Sequence, residues 1–183
     1  MTSHQPHRIR ALIDRLAKLS ESEDWAADLN PAQMTALNYL SRANRFSRAP
    51  SHVAAYSGST RGTVSQTLRA LERKGLVSEK RSETDRRSIS FELTNAGEIL
   101  ASTGKEIDRV IAGLPAETAA ALEAGLDTVL RKLLEVRGSK AFGLCRTCRH
   151  HRGKEDGGYC ELLSVDLKPA ETTQICHEHE RAQ

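Results

Sequence analysis

The sequence predicts a mainly α-helical fold with one small β-hairpin, closed by a cysteine-bearing tail. Three observations predict it. Apolar residues recur at helical spacing along most of the first three quarters of the chain. The period drops to two in SISFELT, residues 88–94, where Ile89, Phe91 and Leu93 alternate with Ser88, Ser90 and Glu92. All four cysteines, Cys145, Cys148, Cys160 and Cys176, fall in the last 39 of 183 residues.

Composition sets the packing. Aromatic residues make up 4% of the chain against 38% hydrophobic in all, so the core is built from Leu, Ile, Val and Ala, which suits helix-on-helix contact. The formal charge of +3 leans basic, a pointer to polyanionic partners. The opening MTSHQPHRIR lacks the apolar core of a secretory signal, and no apolar run approaches the roughly 18 residues of a membrane span. A cytoplasmic protein without a membrane partner is expected, and in that compartment clustered thiols bind metal more often than they pair as disulfides.

The elements follow in order. HRIRALIDRLAKLS places Ile9, Leu12, Ile13, Leu16 and Leu19 on one helical face. In LNPAQMTALNYL, Asn30 is set to cap a second helix, with Pro31 in the first turn where its missing N–H costs nothing. SHVAAYSG reads as a short helix capped by Ser51 and stopped at Gly58. TRGTVSQTLRALERKGL starts at Thr60, buries Val64, Leu68 and Leu71, and ends at Gly75. LVSEKR pairs with SISFELT across the polar tip SETDRR. Thr94 caps a long helix running towards Leu114, and Pro115 restarts a last one through Val136 with a stripe of Leu122, Leu126, Val129, Leu130 and Leu133. The expected units are 1–29, 30–94, 95–138 and 139–183.

Two short helices joined at Gly58, the second with a polar outer face, make a helix-turn-helix, and the charged hairpin behind it adds a wing. The second helix turns Arg61, Thr63, Ser65, Gln66 and Arg69 outward. Arg reads guanine bidentately, Gln reads adenine, and Ser and Thr reach phosphates or bases. Residues 61–87 hold eight Lys/Arg against four Asp/Glu, whereas the tail from 139 is balanced at seven of each. At the hairpin tip, Arg86 and Arg87 suit a narrow minor groove, with Asp85 placed to hold one of them by a charge-assisted hydrogen bond. A solvated helix face and a polar turn are the alternative reading of the same residues.

The segment from Asn30 to Leu100 resembles the winged helix-turn-helix of the MarR family of bacterial transcription regulators. TVSQTLRALERKGLV (63–77), TDRRSISFELTNAGEIL (84–100) and LNPAQMTALNYL carry the resemblance. It implies a regulator rather than an enzyme: a homodimer joined by its N- and C-terminal helices, with the helix from Thr60 in the major groove and the hairpin as wing. By position, Thr63, Ser65, Gln66 and Arg69 lie on the recognition helix, and Asp85 and Arg87 match the acidic-basic motif of the wing. Gly62 departs from the pattern, which usually has a larger polar residue there. The apolar stripes of the flanking helices exceed what a small winged helix covers, which also favours a twofold dimer. Its double-stranded DNA operator is then pseudo-palindromic, with half-sites about 34–36 Å apart.

The tail lies outside that resemblance. Its spacing, C-x2-C-x11-C-x15-C, brings two thiolates to one centre on a tight turn, and two more complete four. A segment this short cannot build a good core of its own, so a metal centre supplies the organisation. A zinc site of four cysteines usually has two close-spaced knuckles, and here fifteen residues separate the second pair. Iron–sulfur clusters collect isolated cysteines from loops, so an iron–sulfur cluster is the first expectation, four-iron four-sulfur ahead of two-iron two-sulfur, with zinc as the alternative. A thiol switch and unused cysteines remain as further readings. His150, His151, His177 and His179 flank the cysteines as candidate substitute ligands, and Arg146, Arg149 and Arg152 offset thiolate charge. Four thiolates leave no open coordination position, which argues against an enzyme. The expected function is a regulator whose operator affinity follows the state of the centre (redox, oxygen, nitric oxide or iron), acting by repacking the tail on the dimer helices. The alternative is a ligand-responsive repressor with a structural zinc.

Overall fold

The computed structural model describes residues 4–24, 28–81 and 89–182. The chain runs α1 (His4–Asp24), α2 (Pro31–Arg42), a 3-10 turn (Arg45–Ser47), α3 (Pro50–Ser57), α4 (Arg61–Arg73), β1 (Val77–Arg81) and β2 (Ile89–Leu93). It continues with α5 (Asn95–Ser102), α6 (Glu106–Ala112) and α7 (Ala116–Val136) before entering the tail. The fold is mainly α with a small antiparallel hairpin, as the periodicity predicts.

Local chemistry sets most of the boundaries. Asn30 Oδ1 accepts from Gln33 N at 2.9 Å while Gln33 Oε1 accepts from Asn30 N at 3.2 Å, a reciprocal box that starts α2 beside Pro31. Thr60 Oγ1 accepts from Thr63 N and starts α4, and Gly58 stops α3 in the left-handed region at φ 63°. The α3 cap differs from expectation: the cap is Ala49 with no side-chain bond, because Pro50 already supplies the helical φ at the first position and Ser51 lies inside the helix. β1 and β2 pair antiparallel from Val77↔Leu93 to Arg81↔Ile89.

The long helix expected from Thr94 to Leu114 is two helices. Thr94 Oγ1 does accept from Gly97 N at 3.2 Å, but Thr103 takes extended backbone and α5 ends. Asp108 then accepts from Lys105 N at 3.0 Å and starts α6. Gly97 permits a close approach at the start of α5, since a Cβ there would overlap the Leu76 carbonyl oxygen.

One core joins α2, α3, α4 and the hairpin. Leu37, Leu40, Leu68 and Leu71 are fully buried in it, with Val53 and Phe91 against them. The stripes of α1 and α7 are not in it: Ile9, Leu12, Leu16 and Leu19 on α1, and Leu122, Leu126, Val129, Leu130 and Leu133 on α7, are 42–56% exposed.

The tail forms β3 (Gly143–Leu144), a 3-10 turn (Cys145–Thr147), β4 (His151–Lys154), β5 (Gly157–Cys160), β6 (Val165–Leu167), a single helical turn α8 (Pro169–Thr172) and β7 (Ile175–Cys176). β3 pairs with β7, and β4–β5–β6 form a separate antiparallel sheet. The expected seat on the dimer helices is not where most of its contacts lie. Ile175 enters the winged-helix core, and Phe142 meets the rings of Tyr39 and Tyr56 edge-on at 6.0 and 5.3 Å. Arg45 binds both carboxylate oxygens of Glu171. Against α7 the tail places Arg181, whose Nη1 is 3.6 Å from Asp127 Oδ2. The tail is drawn to the winged helix because its few apolar residues find a ready apolar surface there, whereas its own sheet buries little.

Candidate nucleic-acid interface and thiol site

α4 has two unlike faces. Val64, Leu68 and Leu71 are buried, while Arg61, Thr63, Gln66 and Arg69 are exposed and Ser65 is half-buried. Arg61, Ser65 and Arg69 succeed one another at i, i+4 spacing, so they share one row, with Gln66 beside it. The Thr63 hydroxyl sits 2.9 Å from Thr60 Oγ1 at the helix start. A Cβ at Gly62 would meet Thr60 Oγ1 at 3.9 Å, an ordinary contact, so the fold itself does not require glycine there. Asp85, Arg86 and Arg87 lie outside the described residues.

The sequence pattern of the MarR family matches residues 27–88, the span from the end of α1 into the hairpin. Over residues 27–88 this chain is similar to the MarR family, and its fold there is a winged helix. A curated relative, the organic hydroperoxide resistance transcriptional regulator of Bacillus subtilis (strain 168), is 35% identical over 79 residues, 43% of this chain. The match spans about half the length of that relative, 53%. Among solved structures, Streptococcus pneumoniae FabT in complex with DNA matches with a TM-score of 0.60 at 23% identity, covering 73% of this chain and 97% of its own. The MepR–DNA complex of Staphylococcus aureus matches with a TM-score of 0.57 at 22% identity, over 73% of this chain and 99% of its own. At these identities the likeness is one of fold, and it takes in 73% of the chain, more than the winged helix alone. The remaining quarter of this chain is of the length of the cysteine tail.

Cys145 and Cys176 of that tail are buried and Cys148 and Cys160 half-buried, and all four line one small cavity together with His150 and His151. Cys145 and Cys148 flank the 3-10 turn, Cys160 ends β5, and Cys176 ends β7 on the other sheet. Among the described residues, no three Cys, His, Asp or Glu side chains are already set at ligand distances about one point. The sulfurs are nevertheless furnished with donors: Asn44 Nδ2 donates to Cys145 Sγ at 3.2 Å, and Glu180 N donates to Cys148 Sγ at 3.4 Å. Such bonds are stronger to a thiolate than to a thiol. Cys145 and Cys176 interact directly, so that the hydrogen bond between them raises the first and lowers the second, with burial raising both. One member of the pair ionises readily and the other holds its proton.

The histidines divide into two pairs. His150 Nε2 and His151 Nε2 are buried beside the cysteines and have no hydrogen-bond partner; the first lies 3.4 Å from Glu180 Oε2 without hydrogen-bond alignment. His177 turns away to stack on His52 of α3 with ring centroids 3.5 Å apart, and His179 Nε2 is 2.9 Å from Thr147 Oγ1. Orphaned imidazole nitrogens, N–H groups aimed at sulfur and four thiols around one cavity fit a soft-metal centre.

Asn44 and Ser47 are the site residues that sequence reading missed. Asn44 is fully buried, and its Oδ1 accepts from Phe46 N at 3.1 Å and from the Ser47 hydroxyl at 2.7 Å. An Asn three residues before a Ser signals a capped turn in sequence. Its partner Cys145, 101 residues away, carries no local signal.

Proposed function

We propose that this chain is a homodimeric transcriptional regulator that binds double-stranded DNA at a pseudo-palindromic operator, and that a metal centre on Cys145, Cys148, Cys160 and Cys176 sets its affinity. The observation that carries the DNA-binding reading is the split of α4 on a MarR winged helix. Its apolar residues are spent on the core, leaving Arg61, Gln66 and Arg69 to face outward. Two solved neighbours, FabT and MepR, carry the same fold in complexes with DNA. Thr63 and Ser65 serve the helix start and phosphate contact, and Arg86, Arg87 and Asp85 act from the wing. The half-exposed stripes of α1 and α7 are the surface a second copy covers. The role is that of a cytoplasmic regulator rather than an enzyme.

The centre is read first as an iron–sulfur cluster. The donor arrangement supports this, because Cys160 and Cys176 come singly from β5 and β7 rather than as a second close-spaced knuckle. When bound, such a cluster supplies one-electron chemistry and lability to oxidants. This chain's own residues would hold it, with Asn44 Nδ2 and Glu180 N donating to Cys145 Sγ and Cys148 Sγ, and Leu167 and Val165 would help to exclude water.

One observation favours the second reading, a structural zinc. The cavity holds about 20 Å³, and Cys145 and Cys176 already touch. Four sulfurs at 2.3 Å from a single zinc stand about 3.8 Å apart, so one ion asks for less side-chain movement than a cluster. Purification without oxygen, followed by visible absorption and iron, sulfide and zinc analysis, separates the two. Brown protein with four irons and four sulfides per chain is expected; colourless, iron-free protein with one zinc per chain sinks the redox reading. Fluorescence anisotropy on duplexes selected from a random pool tests DNA binding, and equal weak affinity for selected and random duplexes sinks it.

A further inference from the structure

We propose that Asn44 is the positioning residue through which the thiol site sets the turn between α2 and α3, and through it the presentation of α4. The inference rests on the reading of the four cysteines as a metal centre and names how that centre is coupled to DNA binding.

Asn44 divides one rigid carboxamide between two tasks. Nδ2 donates to Cys145 Sγ at 3.2 Å, and Oδ1 holds Phe46 N and the Ser47 hydroxyl, closing the 3-10 turn. The two ends of a planar amide cannot move independently, so a displaced sulfur rotates the acceptor that organises the turn. The second tether is Ser47, whose Oγ accepts from His177 N at 2.9 Å, one residue beyond Cys176. Two candidate ligand segments therefore hang from the four residues 44–47, the turn and its cap. Asn44 N also donates to Ile175 O at 2.9 Å.

The other side of the turn belongs to the DNA-binding body. Tyr39 of α2 donates its hydroxyl proton to Ser47 O at 2.6 Å. Arg48 O accepts from Phe91 N of β2, and Arg48 Nε donates to Ala43 O. Two residues later α3 begins at Pro50, and α3 packs on α4.

The physical coupling is the charge on one sulfur. An amide N–H bond to metal-bound thiolate is charge-assisted, and it weakens when metal loss leaves the sulfur as a neutral thiol. Asn44 is fully buried, so water cannot take the place of the lost partner. A weakened bond leaves Nδ2 poorly satisfied, which favours rotation of the carboxamide and, with it, movement of the turn it caps. Packed elements respond to such a demand by switching between arrangements rather than by yielding gradually.

The test uses the full chain, loaded anaerobically with ferrous iron and sulfide or with zinc, against the same chain stripped of metal. Two quantities are read: the ratio of affinities for a selected duplex, and amide hydrogen exchange over residues 44–57. In the unaltered protein a ratio of at least tenfold is expected, with exchange over 44–57 slowed by loading. Asn44→Asp keeps the acceptor that caps the turn and removes the donor to sulfur. The ratio should fall below twofold with the fold intact by circular dichroism. Ser47→Ala leaves the Asn44–sulfur bond but cuts the second tether together with the hydroxyl's bond to Asn44 Oδ1, and it decides the matter if Asn44→Asp fails to fold or to load. Its ratio should fall at least threefold while metal content is unchanged. A full ratio and unchanged exchange in the variant that loads overturn the relay while leaving the metal centre standing. Unaltered protein that takes up neither metal, or takes it up with a ratio of one, overturns the reading on which the relay rests.

Discussion

Replacing Arg45 by alanine should loosen the tail from the winged helix by a calculable amount. Arg45 Nη1 reaches both oxygens of Glu171, and its Nη2 donates to Asp166 O at 2.9 Å. Glu171 is 7% exposed, and apart from Arg45 it accepts from Lys168 N at 2.8 Å. A hydrogen bond to a charged group contributes about 1.5–3 kcal/mol. The Arg45 side chain is 41% exposed, which brings its share to the lower end of that range. Adding the lost bond to Asp166 O gives about 2 kcal/mol, and a chain of this size loses about 2–4 °C in Tm for each kcal/mol. The expected fall is about 4–8 °C at fixed protein concentration and metal content. Glu171→Gln, which keeps the shape of the cap, should lose less, and the double variant should show coupling of about 1 kcal/mol. Calorimetry measures the first quantity and limited proteolysis the second consequence, faster cleavage within 139–182. A fall of less than about 1 °C with unchanged proteolysis would refute the view that this ion pair clasps the tail.

Arg69→Ala should weaken all duplexes and lower the salt slope by about one charge, whereas Gln66→Ala should relax preference at one base pair and leave binding to random duplex unchanged; anisotropy across a salt series reads both. Leu126→Glu combined with Leu130→Glu, at positions 46% and 55% exposed, should yield monomers in sedimentation equilibrium with helix content retained, and lost helicity would instead mark these residues as part of the protomer's own core. Burial, then the neighbouring His177 ring, depresses His52 from 6.5 to about 4. The unfolded chain therefore binds more protons than the native one between those values, so this group's contribution is present above about 6.5 and is lost as pH falls towards 4. Tm should fall from pH 7 to pH 5, and His52→Phe should flatten that dependence.

Much of the winged helix was legible from sequence, because its determinants are local. Asn30 with Gln33, Thr60 with Thr63, and Gly58 at positive φ act within four residues of one another. The buried row Val64, Leu68 and Leu71 and the alternation around Phe91 are periodicities, and burial follows the period. Where the reading slipped, two local signals competed: Pro50 outweighed Ser51 at the start of α3, and Lys105 with Asp108 began a new helix inside one continuous apolar pattern. The grouping of four cysteines was likewise visible in their spacing. Their seat was not. Whether the tail lies on α7 or against α2 and α3 depends on which apolar surface Ile175 and Phe142 find, and on partners more than a hundred residues apart: Asn44 with Cys145, Arg45 with Glu171, Ser47 with His177. Sequence determines what happens within a few bonds' reach, since caps, turns and periods are short-range; complementarity between distant surfaces exists only once the chain has folded, and it alone placed the thiols beside the turn that leads into the helix-turn-helix.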